Sequence, residues 1–174
     1  MKKPPIIRLL VHKKIDDETI RLARKVILET FTGIKKVEHS VLPDISSAFN
    51  PLREQYNAER ILDTLVLRVP PIFLALIPYD LFVPNLNFVF GVALPLRGCV
   101  ISTYRLKLYA SRDLYQKRLL KTIRHELGHV FGLQHCSQKC VMRFANSLYE
   151  LDIKPPNFCP HCYKILLNLG VIEG

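Results

Sequence analysis

No apolar run in this 174-residue chain reaches the roughly 18 residues of a membrane span, no repeat or low-complexity tract is present, and there is no tryptophan. A spanning helix and a repeat architecture are excluded. The opening MKKPPIIRLLVHKK sets basic residues before an apolar run, but Arg8 interrupts the run and no small-residue cleavage site follows. It reads as a buried first strand rather than a signal peptide. The chain is therefore expected in the cytoplasm, without a removable pro-segment. Nor do the cysteines form an even set, since there are five, so no disulfide framework is expected. Acidic residues are scarce, 15 against 25 basic ones, for a formal charge of +10. That balance raises the question of a nucleic-acid partner.

What is present indicates one globular domain. Hydrophobic residues make up 49% of the chain, and a chain of this length buries roughly two-thirds of its unfolded surface. The stretch 124–142, RHELGHVFGLQHCSQKCVM, concentrates the chemistry. His125 and His129 are four apart, so on a helix they stack on one face and offer two imidazoles to one metal ion. Gly132 tolerates the left-handed conformation that ends a helix, which lets the chain return His135 as a third ligand. Three protein ligands leave a tetrahedral position open, the arrangement of a catalytic zinc, and Glu126 is placed as general base toward a water there. Further on, Cys136, Cys140, Cys159 and Cys162 can close a tetrahedral thiolate shell around a structural zinc. His161, inside the second cysteine pair, reads as an exposed knuckle residue. His12 and His39 lack ligand-spaced partners, and Cys99 reads as a small buried residue on a strand.

The histidine string is that of the metzincin metallopeptidases. With the cysteines that follow it, and Cys140-Val141-Met142 between them, the chain resembles the archaemetzincins, or archaelysins. The gaps 136–140 and 142–159 are each one residue shorter than that family's pattern, which touches loop geometry rather than ligand identity. The resemblance implies a metzincin-like zincin fold of the α/β (α+β) class. It would have a twisted mixed sheet with packed helices, a central zinc-binding helix, and a small C-terminal subdomain holding the four-cysteine zinc site. One catalytic domain is expected, divided at 132/133. The resemblance also implies two zinc ions per chain, Met142 as a Met-turn floor beneath the ligands, and an edge strand at 87–93 that pairs with an extended substrate. Phe144 stands where many metzincins carry a tyrosine that assists the transition state.

Around the motif the pattern alternates strand and helix. Strands are expected at 6–12, 37–42, 73–77, 86–93 and 100–107, with a brief one at 148–153. Helices are expected from the capping Asp16 and Asp17 to about Phe31, ended by Gly33, then at 59–66 and 163–169. The central helix is capped by Ser111, with Asp113 in its first turn. Its Leu119, Leu120, Ile123, Leu127, Val130 and Phe131 form the face toward the sheet, opposite the histidines.

The expected function is zinc-dependent hydrolysis of peptide bonds by a monomer acting on a peptide or protein substrate, with no membrane partner. The alternative is a non-catalytic zinc module that binds nucleic acid through Arg105, Lys107, Arg112, Lys117, Arg118, Lys121 and Arg124. An intact Glu126 argues against it, because retaining three metal ligands for structure alone needs no general base.

Overall fold

The structure, a computed structural model, describes residues 5–174, so the basic start of the N-terminal run lies outside the described residues. Its centre is a five-stranded sheet ordered β2-β1-β5-β8-β7, formed by β1 (Ile6–Val11), β2 (Lys36–Val41), β5 (Phe73–Ile77), β7 (Gly91–Leu94) and β8 (Gly98–Ser102). The first four in that order run parallel, and β7 closes the edge antiparallel to β8. Every residue of β5 is buried, as a parallel strand covered on both faces requires.

The pleat sorts those residues into two cores. Leu74 and Leu76 join Ile7, Leu9 and Ile101 under helices α1 (Asp17–Thr30) and α3 (Arg112–Val130). Phe73, Ala75 and Ile77 meet Ile61, Leu62 and Leu65 of α2 (Ala58–Arg68) on the other face. The C-terminal helices α4 (Leu148–Ile153) and α5 (Pro160–Asn168) contribute Leu151 and Leu166 to the first of these cores. The twisted mixed sheet with packed helices is thus present.

Several elements differ from the expectation. Residues 148–153 form helix α4 instead of a strand. The Ser147 hydroxyl accepts from the Glu150 N–H, and this cap overrides the β-prone Leu-Tyr pair. The strand expected at 100–107 stops at Ser102, whose hydroxyl accepts from the Tyr104 N–H and turns the chain into a short 3-10 segment at Arg105–Lys107. The strand expected at 86–93 shrinks to β7. The residues before it form a loop whose Leu86 and Asn87 carbonyls are held by Arg53. Helix α1 ends at Phe31 without a left-handed glycine. Gly33 is needed instead because a side chain there would collide with the Gly170 carbonyl. A second, three-stranded sheet of β3 (Phe49–Asn50), β4 (Gln55–Asn57) and β6 (Leu81–Phe82) was not foreseen.

The basic run along α3 has an internal use. Arg118, 4% exposed, reaches both oxygens of Asp152 at 2.7 and 2.8 Å and donates to the carbonyls of Leu106 and Leu108. Lys121 donates to the carbonyls of Leu151 and Asp152 near the C-terminus of α4, where the helix dipole favours a cation. Arg124 joins Thr30 to the Pro156 carbonyl. Arg105, Lys107, Arg112 and Lys117 pair with Asp80, Asp16, Glu18 and Asp113. All seven cations of the expected patch therefore have protein partners.

Candidate active-site cleft and metal centres

Helix α3 begins as expected, with the Ser111 hydroxyl accepting from the Leu114 N–H. It ends in a Schellman turn. Gly132 adopts φ +97, its N–H bonds the His129 carbonyl, and the Leu133 N–H bonds the Gly128 carbonyl. The turn reverses the chain and brings His135 back over the helix. The ligating atoms of His125, His129 and His135 come to lie within 4.8 Å of one another.

Each helical imidazole is aimed by a backbone carbonyl. His125 Nδ1 lies 2.9 Å from the Val141 oxygen, and His129 Nδ1 lies 2.7 Å from the Leu133 oxygen. Donation through Nδ1 leaves the Nε2 lone pairs facing each other, 3.1 Å apart. Two tetrahedral zinc ligands at ordinary bond lengths stand about 3.3 Å apart, so the pair fits that ion. Burial, then the charge of Lys154, lowers the His125 pKa to about 2, and burial also lowers those of His129 and His135. Neutral imidazoles with mutually facing lone pairs are what a divalent metal requires.

Glu126 points from the same helix into the same cavity, which has a volume of about 410 Å³. It is 6% exposed and pairs with no cation at ion-pair distance among the described residues. Burial raises its pKa to about 8, against the opposing charge of Lys154. Strand β7 passes so close that a Cβ on Gly91 would stand 2.9 Å from Glu126 Cγ. Met142 is fully buried against the helix that carries His125 and His129. A Cβ on Gly128 would meet its sulfur at 2.5 Å, so the bare glycine backbone between His125 and His129 is the surface it packs on. Phe144 is half exposed, and its ring stands 5.3 Å from that of His135, edge to face.

The sulfurs of Cys136, Cys140, Cys159 and Cys162 gather in a second cluster, also within 4.8 Å. The Cys136 and Cys159 sulfurs are 3.8 Å apart, matching the edge of about 3.8 Å in a zinc–thiolate tetrahedron. The N–H groups of Met142 and Cys159 donate to the Cys140 sulfur, and that of Cys162 to the Cys159 sulfur, which favours thiolates. His161 is exposed. Cys99 is buried on β8, where burial and then the Glu126 charge raise its pKa well above the usual thiol value. His12 packs edge to face on Tyr79, and His39 is exposed on β2.

Two contributors carry no sequence signal. Lys154, 7% exposed, places its Nζ 3.2 Å from His125 Nδ1 and 3.1 Å from the Arg143 carbonyl. A lone lysine in DIKPP has no spacing to mark it. Gly91 matters through its lack of a side chain opposite Glu126, a relation visible only once β7 is laid beside α3.

Comparison with known proteins agrees with this architecture. The sequence profile of peptidase family M54 matches residues 9–168. The chain is 46% identical over 125 residues to an archaemetzincin of Nanoarchaeum equitans, covering 71% of this chain and 69% of that one. It is 36% identical over 167 residues to that of Methanocaldococcus jannaschii, covering 90% of each. The crystal structure of the Archaeoglobus fulgidus archaemetzincin complexed with malonate superposes with TM-score 0.82 at 34% identity, over 92% of this chain and 99% of that one. The Methanopyrus kandleri archaemetzincin gives 0.81 at 36%, over 94% of each. By its matched length, its identity to these relatives and its fold, the chain belongs to peptidase family M54, the archaemetzincins, and is a zinc metallopeptidase.

Proposed function

We propose that His125, His129 and His135 hold the catalytic zinc, that Glu126 is the general base of peptide-bond hydrolysis, and that Cys136, Cys140, Cys159 and Cys162 hold a second, structural zinc. One observation carries the reading: three imidazoles with clustered ligating atoms and the Glu126 carboxylate converge on a single cavity. When bound, the catalytic zinc supplies a Lewis acid that polarises the scissile carbonyl and acidifies water.

The remaining tasks belong to side chains and backbone. The Val141 and Leu133 carbonyls fix the tautomers and planes of His125 and His129. Glu126, which lines the same cavity as the three histidines, takes a proton from the attacking water and returns it to the departing amine. Among the described residues β7 is an edge strand, and its outer edge offers N–H and C=O groups to an extended peptide lying over Glu126. Met142 is the Met-turn, a floor that keeps the histidine-bearing helix at fixed height. Phe144 carries no hydroxyl and contributes packing against His135 alone.

The chain works as one catalytic domain with subdomains 1–132 and 133–174, as a cytoplasmic monomer holding two zinc ions. The nucleic-acid alternative is the less favoured reading, because buried Arg118 and Lys121 are turned to Asp152 and the 151–152 backbone and so leave the basic row it relied on. The deciding experiment compares wild type with Glu126→Gln on a peptide library. The variant should keep two zinc ions per chain and lose about a hundredfold or more of its hydrolysis. Equal activity in the two proteins would overturn the assignment of Glu126.

A further inference from the structure

We infer that the inner end of the cleft is a carboxylate-recognising subsite, that Lys154 is its binding group, and that the carboxylate is carried by the substrate residue following the scissile bond. The inference rests on the peptidase reading above and adds a substrate class to it.

The ammonium of Lys154 is short of partners. It is 7% exposed and occurs in none of the ion pairs among the described residues. Its neighbours are the Arg143 carbonyl at 3.1 Å and His125 Nδ1 at 3.2 Å. That Nδ1 also lies 2.9 Å from the Val141 carbonyl, and one ring nitrogen cannot both donate to Val141 and accept from Lys154. The tautomer that frees Nε2 toward His129 puts the proton on Nδ1, so the nitrogen donates. Lys154 is left with three N–H donors and one acceptor. A buried cation in that state is costly unless something brings it a counter-charge.

The cavity shows where that counter-charge enters. Lys154 lines the same space as Glu126 and the three histidines, together with Thr122, Ala145 and Leu151. The acids on its wall are Glu126 and Glu59. Neither is within ion-pair distance of Lys154, and Glu59 belongs to α2, on the opposite face of the sheet from Lys154 and its neighbours. With a divalent ion on the histidines, the ion and Lys154 together bring three positive charges to the centre, and the one acid beside them is Glu126. An acidic substrate group balances that excess, and the +10 charge of the chain draws such substrates in.

The side of the scissile bond follows from strand direction. Gly91 packs on Glu126 and the Leu96 N–H bonds the Val130 carbonyl, so β7 and α3 run the same way. A peptide pairing antiparallel with β7, the more stable ladder, enters at the Leu94 end and leaves at the Gly91 end. Thr122 precedes Glu126 by one helical turn and shares that end of the cavity with Lys154. Lys154 therefore faces the residue C-terminal to the cleaved bond.

The test uses zinc-loaded wild type and Lys154→Met with two sets of short alanine-based peptides. One set is cleavable. The other has a reduced scissile bond and is read by calorimetric binding. Each carries Glu, Gln or Lys after that bond, either continued by an amidated alanine or ending there as the acid or the amide. Wild type should favour Glu over Gln about tenfold or more, in kcat/KM and in binding of the reduced peptides, and Lys should be worst. In Lys154→Met the Glu-to-Gln ratio should fall to near one. A merely structural loss would lower both peptides equally and leave the ratio unchanged. If the acid-ended peptide gains over its amide while Glu gains nothing over Gln, the carboxylate recognised is the chain terminus. If both gain, either source serves. Wild-type binding that treats Glu and Gln alike, and acid and amide alike, overturns the subsite. Absence of any cleavage with the binding preference intact would instead count against the peptidase assignment.

Discussion

Replacing Gly91 by alanine tests whether Glu126 works from the position the structure gives it. The added Cβ would stand 2.9 Å from Glu126 Cγ, 3.1 Å from its Cδ and 2.8 Å from the Val100 carbonyl oxygen. Carbon atoms settle at about 3.5–4.0 Å, so either the carboxylate or the strand must yield by about 0.6–1 Å. A displacement of about 1 Å in a reacting group costs on the order of a hundredfold in rate. Overpacking against Val100 adds a stability loss of about 1–3 kcal/mol. None of the three histidines is touched, so zinc content should stay at the wild-type level while kcat falls about a hundredfold. Gly98→Ala is the matched control. Its Cβ would meet Phe73 at 2.5 Å, away from the cleft, and should lower Tm without lowering kcat. Steady-state kinetics, metal analysis and thermal unfolding on the three proteins decide the matter. If Gly91→Ala retains kcat within about twofold of wild type, the close packing of β7 on Glu126 does not position the base.

Cys159→Ser should weaken zinc at the histidine site by about 10 to 100-fold in chelator competition, because His135 and Cys136 are adjacent and the Cys136 N–H bonds the Met142 carbonyl. Unchanged affinity would mean that the two centres are independent. Arg118→Met should cost about 3 kcal/mol in denaturant unfolding, since it strips Asp152 of its partner and frees two carbonyls; a loss under about 1 kcal/mol would contradict the role given to this pair. Asp16 caps α1. Burial opposes its charge, but hydrogen bonds from Lys107 and Thr19 outweigh that and hold its pKa at about 2. A folded-state pKa below the unfolded one stabilises above the ordinary carboxylate range and is lost as pH falls toward 2. The stability gap between wild type and Asp16→Asn should accordingly close on acidification, and a gap independent of pH would refute the linkage.

The readable parts of the sequence were those where chemistry and geometry repeat at short range. A four-residue interval fixes two imidazoles on one helical face, a glycine fixes the reversal after them, and Ser111 fixes where the helix starts. The cysteine cluster was readable for the same reason, as each pair is internally close in sequence. One difference was local: Ser147 and Glu150 stand at capping spacing, a signal that outweighs the β-prone Leu148 and Tyr149. The others arise where distant contacts decide, as where residues 86–90 look like strand until Arg53 takes the Leu86 and Asn87 carbonyls. The cations of the 105–124 run could be read as a solvated or nucleic-acid-binding row because most of their partners, among them Asp152, Asp16, Glu18 and the 151–156 backbone, come from far along the chain. Lys154 was silent because its meaning is set wholly by His125 and Arg143.

The inward-reaching Arg118, Lys121 and Arg124 have a consequence for motion. One wall of the cleft is β7, tied to α3 through the Leu96–Val130 bond and the seat of Gly91 on Glu126. The facing wall, 141–156, is bolted to the same helix by those three cations. A single rod thus carries both jaws, so a shift of α3 would move the two walls of the cleft together rather than open one against the other.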